Sequence, residues 1–248
     1  TRIFSLAGKG STTTAPGPTP SAGCGATPVA APGTTDETIV VDGNEGRYQL
    51  LVPEGYDGTT PLPLVFGLHA LTVSYTFVPA GAGFPEMQEQ YDFIGVSPSN
   101  LVDNGTSFWM AAPVPDNPDV AFMEALLDEL EADLCIDTSK VFSTGQSNGA
   151  QMSSLLACQV SDRITAVAPI AGVEFPADPA VCDDRPVPVM AFHGTADPIV
   201  TYEGGGLNAA TIANLHYWHG EAPDDVPAHE GVDTAMDNWA AHNGCEPG

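Results

Sequence analysis

The chain has 248 residues, with six basic side chains against 32 acidic ones and a formal charge of −26 at neutral pH. That length suits one large domain able to bury a sizeable core, and the charge argues against nucleic acid or anionic membranes as partners, since both would be repelled. No apolar run reaches the roughly 18 residues that a membrane-spanning helix requires.

Residues 1–33 differ in composition from the remainder. Arg2-Ile3-Phe4-Ser5-Leu6 is a short apolar arm, either frayed or donated as a strand to a neighbouring subunit or domain, and the second reading allows self-assembly through it. Ser11 to Pro20 is rich in Thr, Pro and Gly and reads as an extended linker open to O-glycosylation. The folded domain is therefore expected over residues 34–248. Thr38–Val41 and Arg47–Val52 form a predicted hairpin joined through Asp42 to Gly46. Leu62 to His69 is a continuous apolar run, as in a strand buried on both faces. A helix is predicted over Phe84–Tyr91 and a strand over Phe93–Ser97. From Asp119 to Leu134 the residues Val120, Phe122, Met123, Leu126, Leu127, Leu130 and Leu134 recur at helical spacing. Strands are predicted at Lys140–Thr144, Ile164–Ile170 and Val187–His193, with helices at Asn148–Val160 and Thr234–Ala241. This alternation implies an α/β domain with a mostly parallel central sheet and helices on both faces. No internal repeat is visible.

Gly145-Gln146-Ser147-Asn148-Gly149 falls where a predicted strand hands over to a helix. A G-x-S-x-G segment in that context is a nucleophile elbow, a strained turn that lifts the serine hydroxyl clear of the sheet. A side chain at either glycine would crowd the adjoining elements, and glycine also tolerates unusual backbone angles. Ser147 is therefore the candidate nucleophile. Asp197, in His193-Gly194-Thr195-Ala196-Asp197-Pro198, follows the carboxyl end of a later buried strand and is the candidate acid. An aspartate beside Gly and Pro can also be a plain turn residue. An oxyanion hole needs two backbone N–H groups. Asn148 would supply one and Leu71 the other, with Ala70 as the alternative to Leu71; His69 precedes the serine and reads as a loop anchor.

The base is harder to place. His216 and His219 have the i, i+3 spacing of metal ligands but lack a third ligand, so no metal and no cofactor are expected. His229 lies in an acidic loop and His242 on the last helix, and neither follows a terminal strand. Five cysteines are an odd number. Cys135 precedes the elbow strand and Cys158 ends the elbow helix, which suggests a bridge between them, with Cys24 and Cys182 as a second bridge and Cys245 unpaired. Five free thiols in a reducing compartment is the alternative. Asn104-Gly105-Thr106 is a glycosylation sequon. Trp109 reads as a core tryptophan, with stacking on an aromatic or sugar group as the alternative.

Together these segments resemble the secreted polyhydroxybutyrate depolymerase-like esterases, a family that includes feruloyl and acetylxylan esterases. The resemblance runs through Ala22-Gly23-Cys24-Gly25, Arg47-Tyr48 with Val52 to Asp57, Cys135-Ile136-Asp137 through the elbow to Ala157-Cys158, Phe192 to Asp197, and Trp239 to Cys245. It implies an α/β-hydrolase fold, Ser147 as nucleophile and Asp197 as acid, an extracellular location, and a carboxylic ester as substrate, polymeric where the relatives' substrates are. The family's oxyanion loop usually carries His-Gly, where this chain has His69-Ala70. In the family the base and the partner of the last cysteine lie beyond the segment matching Cys245, so a C-terminal strand, helix and histidine are expected to be missing from this chain. The competing expectation is a non-enzymatic extracellular assembly protein that kept the hydrolase fold.

Overall fold

The computed structural model describes residues 2–6, 17–27, 29–101, 107–206 and 229–245. The Asn104 sequon and the His216/His219 pair lie outside these residues. Among them one sheet contains β1 (Arg2–Leu6), β2 (Gly33–Val41), β3 (Asn44–Val52), β4 (Leu62–Leu68), β5 (Ile94–Pro98), β6 (Ile136–Gln146), β7 (Ala166–Ile170) and β8 (Val189–His193). The helices are α1 (Val78–Gly81), α2 (Phe84–Tyr91), α3 (Pro118–Asp133), α4 (Asn148–Gln159) and α5 (Val232–His242).

The strand order is β1-β8-β7-β6-β4-β5-β3-β2. The five central strands β5, β4, β6, β7 and β8 are parallel; β3 and β1 run antiparallel to the strands they flank, β5 and β8, and β2 runs antiparallel to β3. From β4 the chain first adds β5 on one side and then returns to add β6 on the other. The order therefore reverses between β4 and β6. In open parallel sheets such a switch point opens a crevice at the carboxyl ends of the two strands.

Alternation along β4 explains how the sheet acquires a layer on each face. Leu64, Phe66 and Leu68 are almost wholly buried in the main core beneath α3 and α4, with Phe122, Leu126, Leu127, Met152 and Leu156. Val65 faces the opposite layer, where Leu51, Phe84 and Phe93 form a smaller cluster under α2. Gly67 belongs to that second face, and a Cβ there would lie 2.8 Å from Phe84 and 2.9 Å from Val78. The α3 stripe is buried as its spacing predicts, and Asn117 caps the helix by accepting the N–H groups of Asp119 and Val120.

Four expectations are corrected. The β2–β3 turn is Asp42-Gly43 alone, both at positive φ (50° and 81°), because that geometry matches the right-handed twist of the strands. The arm at Arg2–Leu6 pairs with β8 of its own chain rather than serving a neighbour, and it holds the edge position beyond β8. The linker does not extend to residue 33. Thr19 and Ser21 bond to the start of β6, and Gly23 N–H reaches Glu131 O at 2.9 Å. That docking decides the cystines. Cys24 is carried to Cys135, at a Cα separation of 4.0 Å, and not to Cys182. Cys182 instead follows a short helical turn whose next residue, Asp183, donates its N–H to Cys158 O, and it bridges to Cys158, not Cys135. Cys245 is free.

Because Cys24–Cys135 spans 111 residues, its loss releases a large loop in the unfolded chain. Replacing both residues with serine is expected to lower stability by about 2–5 kcal/mol in denaturant melts, and a non-reducing digest of the parent should yield the Cys24 and Cys135 peptides joined.

Candidate active site

Ser147 sits on the turn between β6 and α4 with φ 53° and ψ −119°, a left-handed conformation unusual for a residue with a Cβ. Its N–H donates to Ile170 O at the end of β7, and its carbonyl accepts from Ala150 and Gln151. The glycines have a steric role only, since the positive φ belongs to the serine. A Cβ on Gly145 would lie 2.4 Å from Gly149 O, and one on Gly149 would lie 2.3 Å from Leu68 O and 2.5 Å from His69 O. Gly172, after β7, closes the third side, where a Cβ would come within 2.5 Å of Ser147 O. The serine is thus wedged among the ends of β4, β6 and β7, at the switch point, with its side chain partly exposed.

The loop after β4 adjoins Asn148, the first residue of α4. Within that loop Thr72 N–H is used by Ser107 O at 2.8 Å and Val73 N–H by Ala70 O at 3.0 Å. His69 is buried, donates from Nδ1 to Ala70 O and stacks on Trp109, and burial lowers its pKa so that it stays neutral. Trp109 is fully buried, so it packs against the loop and does not offer a stacking face to a ligand. A cavity of about 320 Å³ opens beside the elbow, walled by Ala70, Val73, Phe77, Val78, Gln146 and Ile170.

Asp197 lies in the loop after β8, two strands away from β6. Two strand spacings are about 10 Å. Its Oδ1 accepts the N–H groups of Ile199 and Val200 at 2.8 and 3.1 Å, which fixes the carboxylate on the loop. His193 donates from Nε2 to Val200 O at 2.8 Å and closes the same loop. Among the described residues no histidine nitrogen hydrogen-bonds to Ser147 Oγ. His229 donates from Nδ1 to Glu230 O, and His242 packs on Phe175 and Trp239.

Several residues behind the serine were not readable as parts of the site. Gln151, one turn along α4, donates to Glu174 at 2.7 Å, and Glu230 accepts from Phe175 N–H and Asn238. Asp119 of α3 is buried and accepts from Leu101 and Met110 N–H at 2.9 and 2.7 Å. The only sequence signal for Asp119 was an acid in a first helical turn, which ordinarily means a solvated cap. Burial raises the pKa of Asp119, Glu174 and Glu230.

Two outcomes follow. Gly149→Ala forces a Cβ into backbone carbonyls that have no rotamer to escape by, so a loss above roughly 3 kcal/mol or outright misfolding is expected in expression and melting assays. For the acids, the folded state holds protons more tightly than the unfolded chain. Stability is then greatest below their ordinary values, near 4.5 for glutamate, and declines as pH rises through the folded values. Melting temperature should therefore fall from mildly acidic pH toward neutrality, and less steeply in Glu174→Gln.

No protein-family model matches the chain. A probable feruloyl esterase C of Aspergillus niger is 32% identical over 192 residues, covering 75% of this chain and 65% of its own length. Feruloyl esterase C of Emericella nidulans is 32% identical over 213 residues (83% and 72%), and feruloyl esterase D of Neurospora crassa 32% over 239 residues (92% and 70%). The chain thus spans about two thirds of the length of these relatives, and 65% of the first. Among solved structures a thermostable esterase superposes with a TM-score of 0.56 at 20% identity, covering 75% of this chain and 52% of the other, a likeness of fold. With the reversed parallel sheet and the serine at its switch point, these identities show that the chain belongs to the feruloyl esterase family and has an α/β-hydrolase fold.

Proposed function

We propose that the protein is a secreted serine esterase that cleaves feruloyl or acetyl esters through an acyl-enzyme. The observation that carries this reading is Ser147 at positive φ on a turn held between the ends of β4, β6 and β7, supported by relatives whose names state feruloyl esterase activity. In this reading Ser147 Oγ attacks the ester carbonyl carbon while a histidine base accepts its proton. The carbonyl oxygen becomes an oxyanion facing the N–H groups of Asn148 and Leu71. That assignment agrees with Thr72 and Val73 having their N–H groups committed elsewhere. The carbon–oxygen bond to the alcohol breaks, the alcohol leaves with the proton, and water then releases the acid from Ser147.

Asp197, with Oδ1 held by two backbone donors and Oδ2 3.8 Å from His193 Nε2, is the acid that would orient the base in this reading. The cavity walled by Val73, Phe77 and Ile170 is apolar and lies within the roughly 300–1,000 Å³ range of small-molecule sites, which suits an aromatic acyl group. Two cystines fit an oxidising compartment.

The test uses the full-length protein with methyl ferulate, acetylated xylan, a nitrophenyl ester and a fluorophosphonate probe. Turnover and labelling at Ser147 are expected. Ser147→Ala should abolish labelling and lower turnover by at least about 10³-fold, and Asp197→Asn by about 10⁴-fold. A parent protein silent toward every ester and the probe would instead favour a non-catalytic extracellular role.

A further inference from the structure

We propose that the side chain of Asn148, acting through the backbone of Trp109, is a positioning residue that sets the spacing between the two oxyanion-hole donors; the inference rests on the esterase reading above. An oxyanion hole works only if donors from separate chain segments are held at one separation before the charge develops. Here one donor opens α4 and the other lies in the loop after β4. The two segments touch directly at Gly149, but that contact fixes how closely they approach and leaves the loop free to tilt. A second connection is required to remove that freedom.

The strip 107–109 provides it. Asn148 Oδ1 accepts Trp109 N–H at 2.7 Å, and Asn148 Nδ2 donates to Trp109 O at 3.0 Å. The carboxamide therefore satisfies both backbone groups of one residue, as a neighbouring strand would. From that residue the indole N–H reaches His69 O at 3.2 Å, and the imidazole of His69 stacks on the indole with centroids 4.9 Å apart. Two residues earlier, Ser107 O accepts Thr72 N–H at 2.8 Å. The strip thus runs from the start of α4 to both ends of the loop that bears Leu71. Its other end is tied to α3 through Met110 N–H and Asp119 Oδ2 at 2.7 Å.

Two observations indicate that the strip constrains the loop rather than merely resting on it. Thr72 has φ 65°, a left-handed conformation that a threonine leaves unless its surroundings hold it there. The residue whose N–H is bound by Ser107 is that same threonine. In addition, Trp109 is fully buried and Asn148 nearly so, so no solvent is at hand to replace the carboxamide if it is removed. Residue 148 follows the nucleophile, and its backbone alone would serve as a donor with any side chain. The second role suits asparagine, because its carboxamide offers a donor and an acceptor to the N–H and C=O of one residue.

The experiment compares Asn148→Ala, Trp109→Phe and the double variant with the full-length parent. It measures kcat and KM on a nitrophenyl ester, inhibition by an aryl boronic acid that mimics the tetrahedral oxyanion, and amide hydrogen exchange. For Asn148→Ala, kcat should fall roughly 10- to 100-fold with KM within about threefold, and boronate affinity should weaken by the same factor as kcat. Amides of 70–73 and 107–110 should exchange faster, while α4 beyond Gln151 keeps its protection. Trp109→Phe, which keeps a ring but loses the N–H donor, should reproduce a smaller part of the effect, and the double variant should add little to Asn148→Ala. Unchanged kcat, a change in KM alone, or unaltered exchange at 70–73 would overturn the proposal. If the parent neither turns over ester nor binds the boronate, the esterase reading fails by itself. Exchange at 70–73 then still decides whether Asn148 holds the loop.

Discussion

The rest of the site depends on one missing side chain. Because Gly149 lacks a Cβ, the first turn of α4 lies directly against the last carbonyls of β4, at a distance where any L side chain would sit 2.3 Å from Leu68 O. This approach brings Ser147 and the loop after β4 together, though they come from strands far apart in the chain. Gly145 and Gly172 extend the same close contact to β6 and β7. The strained backbone of Ser147, which costs of the order of 1–3 kcal/mol, persists because its N–H is held by Ile170 and its carbonyl by α4. Strain at the serine and vacancy at its neighbours are two aspects of one packing arrangement.

Behind that arrangement a chain of polar contacts runs along the margin of the apolar core. It passes from Asp119 through Met110 and Trp109 to Asn148, then to Gln151 and Glu174. Asp119, Trp109 and Asn148 are buried while Met110 is exposed and Gln151 and Glu174 are half-buried, so a break costs most at the three buried members. The acids within it differ from those on the surface. The protein carries a formal charge of −26, and within this chain of contacts burial raises the pKa of Asp119 and Glu174 toward the neutral form.

Much of this fold was legible in the sequence. The apolar run of β4, the α3 stripe and the strand–Gly–Ser–Gly–helix passage each carry a period or a spacing that one physical cause produces, and their bounds agree with the structure within a few residues. What stayed hidden depended on distant partners. Nothing in Arg2–Leu6 tells which strand it joins. The cystine pairing was not legible, because the docking of Thr19–Gly23 rests on hydrogen bonds to residues distant in the chain, Glu131, Ile136 and Asp137. Asp119 looks like an ordinary first-turn acid until Leu101 and Met110 are seen to converge on it. Ser147, Asp197, Leu71 and Asn148 are candidates that motif order alone suggests, whereas the bonds of the Asn148 side chain to Trp109 are visible only once the neighbouring strip is in place.

The two cystines have unequal reach, 24 residues for Cys158–Cys182 and 111 for Cys24–Cys135. Loop-closure entropy grows as the logarithm of length, so closing the longer loop is less favourable by about 1.4 kcal/mol in an unstructured chain. The shorter bridge needs only α4 and the segment after β7, whereas the longer one needs α3 and β6 assembled before Cys24 has a surface to dock on. Loop entropy alone thus favours the bridge that ties down the helix following Ser147 over the one that holds the N-terminal segment against α3 and β6.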